Sequence, residues 1–276
     1  MPVREWERYA GLRACRVQLG PSFILKLIQR PFPMNLNSDF LLLGLAWYVV
    51  FLMSTTCHEA AHALAAKMGG DMTAALGGQV TLDPIPHIRR EPFGMVLFPI
   101  ISYIAGGWMM GWASAPYNPQ WAQRYPRRAA WMALAGPAAN FTLAILAALL
   151  IHAGLWTGFF TPPQSANFTH VVSALGANGM KSSMADGAAT VLSVMFSLNI
   201  LLGAFNLLPL PPLDGFGAIG LFMSEDAARK VQQFGMQMRG FSMMGMLVAW
   251  KLFDVVFDPI FTTALRLLYP GYGYGA

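Results

Sequence analysis

Cys57-His58-Glu59-Ala60-Ala61-His62 closes a long apolar run, and its residue types and spacing can do chemistry. On a helix, residues four apart share one face, offset by about 40°. His58 and His62 can therefore offer two imidazole nitrogens to one metal ion. Glu59 lies about 100° round the helix and can hold a water at that metal. Two ligands and a general base in the order HExxH are the pattern of a zinc hydrolase. Two histidines and a glutamate in a membrane-length segment cost several kcal/mol, on the order of 2.5–3.5 for a central charge, unless they pair, ligate or face water. Cys57 adjoins the first histidine, but its side chain points away from the face of His58 and His62, so it reads as a small buried thiol.

These residues need a membrane scaffold. Of 276 residues, 55% are hydrophobic and only 11% are charged, against about 25% charged in a soluble domain. The chain reads as an all-α polytopic membrane protein with four to five membrane segments. A short re-entrant or β element is expected after the HExxH helix. The net charge is +5. Its basic residues cluster beside apolar segments, which fits lipid headgroups and excludes a nucleic-acid surface. Two cysteines, Cys15 and Cys57, make no disulfide framework.

Residues 1–38 carry Arg4, Arg8, Arg13, Arg16, Lys26 and Arg30 and are expected to form a basic arm rather than a cleaved leader. Segment one runs from Phe40 to Ala66 and stops at Gly69-Gly70. Gln79-Val80-Thr81-Leu82 alternates between glycines and Asp83-Pro84, which predicts a short strand whose edge could clamp an unwound substrate. His87, in a proline-flanked loop, is given no special role. Segment two, Phe93 to Ala115, is interrupted by Pro99, Gly106-Gly107 and Gly111 and is expected to bend back on itself. Segment three, Ala129 to Trp156, is unbroken and carries Asn140, a candidate interhelical hydrogen-bonding residue.

Segment four, Ala188 to Leu208, breaks at Asn206-Leu-Leu-Pro209-Leu-Pro211-Pro212-Leu-Asp214-Gly215, because prolines forbid a continuing helix. Asp214 then emerges on covered irregular backbone, where a third ligand could be presented. Residues 216–239 show amphipathic spacing, with Glu225/Arg229 and Asp226/Lys230 as i,i+4 pairs, and are expected to lie in the membrane interface. Segment five spans Phe241 to Leu265. The division expected is an arm at 1–38, a catalytic core at 39–215, and an interfacial helix with a last membrane segment at 216–276.

His58, Glu59, His62 and the distant Asp214-Gly215 resemble the site-2 protease family of intramembrane zinc metalloproteases. Ala135-Gly136-Pro137-Ala138-Ala139-Asn140 looks like that family's second landmark, and Asn206 through Gly215 resembles its proline-rich stretch. The resemblance covers about residues 40–220 and is to a compact bacterial type without PDZ or CBS domains. It implies one Zn2+ per chain held by His58, His62 and Asp214, with Glu59 as base. It also implies Asn206, with Asn140, near the substrate peptide or the developing oxyanion. The partners implied are a transmembrane protein or peptide substrate and the lipid bilayer. The place implied is the bacterial inner membrane.

Intramembrane His and Asp also mark ion paths, so a metal or ion transporter is the competing class. Transporters carry internal repeats, and no second copy of segments one to four is present. An inactive scaffold of the same fold is the other alternative, and the intact Glu59 argues against it. Because His58 and Asp214 both end their segments and must meet, segments one and four are expected to run parallel. Segment two then fails to cross, and the basic loops put the zinc end toward the cytoplasm.

Overall fold

The computed structural model describes residues 37–175, 183–272 and 274; of the basic arm expected at 1–38, residues 1–36 lie outside them. Helix α1 spans Ser38–Met68. Its first turn is capped by Asn37, whose side-chain oxygen accepts from the amide of Phe40 at 2.9 Å, and Lys67 sits in its last turn, where a cation suits the helix dipole. Two short helices follow, α2 at Thr73–Leu76 and α3 at Pro84–Arg90. The strand expected at Gln79 to Leu82 is not formed: these residues are loop and bend. Asp83-Pro84 does not end a strand but starts α3, with Asp83 accepting from the amide of Ile85 at 2.9 Å and Pro84 at a position that needs no N–H. The strand-edge clamp is withdrawn with the strand.

Segment two folds back. A π-helical turn at Phe93–Leu97 leads into α4, Phe98–Gly106, and the chain reverses at Gly107. The returning limb is stitched to the outgoing one. Met110 N–H donates to the Ser102 hydroxyl at 2.9 Å, and Trp112 N–H donates to the Gly94 carbonyl at 3.2 Å. The tip reaches the start of α1, where the Tyr103 hydroxyl donates to the Phe40 carbonyl at 2.7 Å. The limb then regains the end of α1: Asn118 N–H donates to Asp71 at 2.7 Å.

After α5 (Pro119–Arg124), helix α6 spans Pro126–Trp156 with Pro137 inside it. Side chains of Trp121 and Arg128 both donate to the Gly69 carbonyl, each at 3.0 Å. The start of α6 is thus tied to the end of α1, and the two helices run antiparallel. At the far end, β1 (Phe160–Thr161) pairs antiparallel with β2 (Ser173–Ala174), Phe160 opposite Ala174. There Phe168 stacks on Trp47 of α1 at 5.4 Å.

Helix α7 spans Ser183–Asn206 and runs back along α6, parallel to α1. Among the described residues, three helices are long and apolar enough to cross a membrane: α1, α6 and, within α7, Met184–Asn206. α10, Ser242–Leu268, contains the shorter apolar helix Met244–Phe253. Three candidate crossings are thus found among the described residues, and the four to five expected are not confirmed. The predicted amphipathic helix at 216–239 is broken. Short α8 (Asp214–Ala218) and a 3-10 turn precede α9, which is Glu225–Gln237 behind a Ser224 cap. In α9 the ion pair formed is Asp226 with Arg229, at 3.5 Å. The core lies between α1, α6, α7 and α10, where Phe205, Phe253, Phe257 and Phe261 pack in series.

Candidate metal centre

The HExxH residues occupy the last third of α1, and His58, Glu59 and His62 are all buried. The imidazole Nε2 atoms of His58 and His62 lie 3.0 Å apart. Asp214 Oδ2 lies 3.1 Å from the first and 3.3 Å from the second. Zinc bonds of 2.0–2.1 Å in a tetrahedron set its ligand atoms about 3.3 Å apart. The three atoms therefore fit three corners of a zinc tetrahedron and leave the fourth open.

The other nitrogen of each imidazole is occupied. His58 Nδ1–H donates to the side-chain oxygen of Asn140 at 2.6 Å, and His62 Nδ1–H donates to the Met132 carbonyl at 2.7 Å. These partners fix the ring orientations and leave each Nε2 to face the ligand cluster. Gly136 of α6 passes directly over that cluster. A Cβ there would overlap the Nε2 atoms of both His58 and His62. Glycine at 136 keeps the space in front of the two nitrogens open, as a bound ion would require.

Asp214 arrives on the broken backbone expected for it. After α7 ends, successive tight turns bond Leu210 N–H to Leu208, Leu213 N–H to Leu210 and Phe216 N–H to Leu213. Asp214 opens α8, and Gly215 lies against the Leu207 carbonyl, where a Cβ would collide. Asp-Gly is therefore one unit: the glycine permits the close turn that aims the carboxylate. Glu59 makes no hydrogen bond or ion pair within the chain among the described residues, so its carboxylate is free to hold a water.

The two asparagines separate. Asn140 is fully buried, and its oxygen is taken by His58. Asn206, half-buried, donates to the Leu202 carbonyl of its own helix at 3.0 Å. His87 is buried, and its Nε2 lies 3.2 Å from the Thr81 carbonyl. Sequence reasoning quoted Gly136 within a landmark without giving it a role, and missed Asn199. The signals were there: a Gly-Pro pair inside a membrane helix, and a lone amide in an apolar run.

The family model of Peptidase family M50 matches residues 46–249, which include all of these groups. The chain is 29% identical over 234 residues to "Putative zinc metalloprotease YwhC" of Bacillus subtilis, covering 77% of this chain and 92% of that protein. It is 28% identical over 197 residues to "Putative zinc metalloprotease Rip2" of Mycolicibacterium smegmatis, covering 71% of this chain and 63% of that protein. No solved structure matches the chain. Both the sequence match and the buried two-histidine, one-carboxylate cluster lead to one conclusion: the chain belongs to peptidase family M50, the site-2 protease family, and is a membrane zinc metalloprotease.

Proposed function

We propose that this chain cuts peptide bonds within membrane-embedded protein segments, with His58, His62 and Asp214 holding one zinc ion and Glu59 as general base. The observation that carries the reading is the convergence of three ligand atoms within 3.3 Å of one another beside a buried, unpaired glutamate. Zinc held there supplies Lewis acidity to the scissile carbonyl and lowers the pKa of a water. Glu59 takes the proton from the attacking water and returns it to the leaving amine. Asn140 and the Met132 carbonyl hold the imidazoles in place, so Asn140 acts on the ligand His58 and not on substrate. Asn206, at the last residue of α7, is the remaining candidate for holding the peptide or the oxyanion.

The hairpin between Phe93 and Asn118 supports a re-entrant element lying against α1, since its tip bonds Phe40 at the start of that helix and its returning end bonds Asp71 just past the helix's last residue. With one crossing, α6, between the parallel α1 and α7, the ends bearing the ligands share one side of the membrane. Lys67, Arg89, Arg90, Arg124, Arg127, Arg128, Arg229 and Lys230 cluster at that end. The positive-inside rule then favours the cytoplasm for it, in a bacterial inner membrane. α9, with Phe234 on an exposed apolar face, suits the interface, and 39–215 suits the catalytic core. Comparing the membrane proteome of cells carrying the native chain and Glu59→Ala tests the reading. A membrane protein that accumulates uncut only with Glu59→Ala supports it; identical proteomes with an expressed, zinc-loaded enzyme refute it.

A further inference from the structure

Asn140 can present either end of its amide to His58. Only the oxygen can accept the Nδ1–H bond and so leave His58 Nε2 facing the ligand cluster. The choice is made one helix further out. Asn140 Nδ2 donates to the side-chain oxygen of Asn199 on α7 at 2.8 Å, with the Ser54 carbonyl a longer second acceptor at 3.5 Å. Asn199 is oriented in turn, since its own Nδ2 donates to the Ser54 hydroxyl at 2.9 Å and to the Met195 carbonyl at 2.8 Å. Ser54, Asn140 and Asn199 are each fully buried, at 0% exposure. At that depth no water corrects a reversed amide.

We propose that Asn199 is a positioning residue for the metal centre. It acts through Asn140: its oxygen locks the Asn140 amide so that His58 keeps a ligating orientation. The chain from Ser54 through Asn199 and Asn140 to His58 crosses α7 and α6 and returns to the helix it started from. It therefore couples the packing of all three long helices to the first ligand. This rests on the assignment of His58 as a ligand, which His58→Ala tests separately.

The test uses the full-length purified protein, with zinc affinity measured by chelator competition and the visible absorption of the cobalt-substituted form as a second readout. Asn199→Leu should weaken zinc binding by about 10–100-fold, the range for loss of a group that orients a metal ligand. It should also alter the cobalt bands. Ser197→Ala is the control, a fully buried hydroxyl on the same helix with no hydrogen-bond partner among the described residues; it should leave zinc affinity and the cobalt spectrum native. Native zinc affinity in Asn199→Leu overturns the proposal. So does a fall in the melting temperature of the metal-free protein with affinity preserved, which is a packing role only. If Asn199→Leu does not fold, Ser54→Ala carries the test. It removes one hold on Asn199 and should weaken zinc several-fold, and an unchanged affinity again overturns the proposal. Zinc retained at native affinity in His58→Ala would instead refute the ligand assignment itself.

Discussion

Oδ2 of Asp214 lies 3.1 Å from Nε2 of His58, although 156 positions separate the two residues in sequence. The contact requires α1 and α7 to run the same way and the chain to reverse sharply after Asn206. Most of the site's behaviour follows from how that contact is supported.

Roles within the cluster separate by substitution. Glu59→Ala should lower peptide cleavage by at least about 100-fold, because proton transfer by a placed group contributes roughly 100- to 10,000-fold. It should retain zinc, since Glu59 is not among the three converging ligand atoms. His58→Ala and Asp214→Ala should lose both zinc and cleavage. Metal analysis of the purified variants beside a peptide-cleavage assay checks this, and full zinc occupancy in Asp214→Ala would contradict it.

Gly136→Ala places a methyl group against Nε2 of both His58 and His62. Alanine is the better helix former, by roughly 1 kcal/mol, but overpacking a buried site costs about 1–3 kcal/mol, so the metal-free protein should melt no higher than the native one. Zinc affinity should fall at least about tenfold, because the methyl displaces the two imidazoles. Paired melting curves with and without zinc would show it, and a native zinc shift would contradict it.

The latch at Asp71 makes stability depend on acid. Burial raises its carboxyl, but hydrogen bonds from the Thr73 hydroxyl and the Asn118 and Thr73 amides outweigh burial and hold it below its ordinary value. A carboxyl depressed in the folded state stabilises above its unfolded pKa and loses that contribution as pH falls through the folded value. Asp71→Ala should destabilise by about 1.5–3 kcal/mol at neutral pH. The gap from the native protein should close as acid protonates Asp71. Melting temperatures in detergent from neutral pH downward measure this; a gap constant with pH would contradict the assignment.

Accessibility labelling tests the course of the chain. With Cys15 and Cys57 replaced, single cysteines at Leu76 and Gln120, both exposed, should label from the cytoplasmic side. A cysteine at Trp156, exposed at the end of α6, should label from the other side. Opposite labelling of Leu76 and Gln120 would mean that segment two crosses the membrane.

Local chemistry was legible in the sequence because it depends on spacing along one helix. The i,i+4 geometry of His58 and His62 needs no tertiary information. Nor does the rule that Pro209, Pro211 and Pro212 end α7, which exposes Asp214 just beyond. The expected parallel course of segments one and four followed from requiring those two points to meet. Four residues of alternation at Gln79 to Leu82 were too short a pattern to specify a strand, and Asp83-Pro84 serves equally well as a turn or as a helix cap. The break at Ile219–Phe222 was equally hidden, because helical spacing persists through a 3-10 turn. Only the tertiary structure decided what Asn140, Asn199 and Gly136 do. Hydrogen bonds and close approach between helices depend on crossing, register and amide orientation, and none of these is written along a single segment. The sequence by itself determined which atoms could bind a metal; the packing of α6 and α7 against α1 decided which way those atoms point.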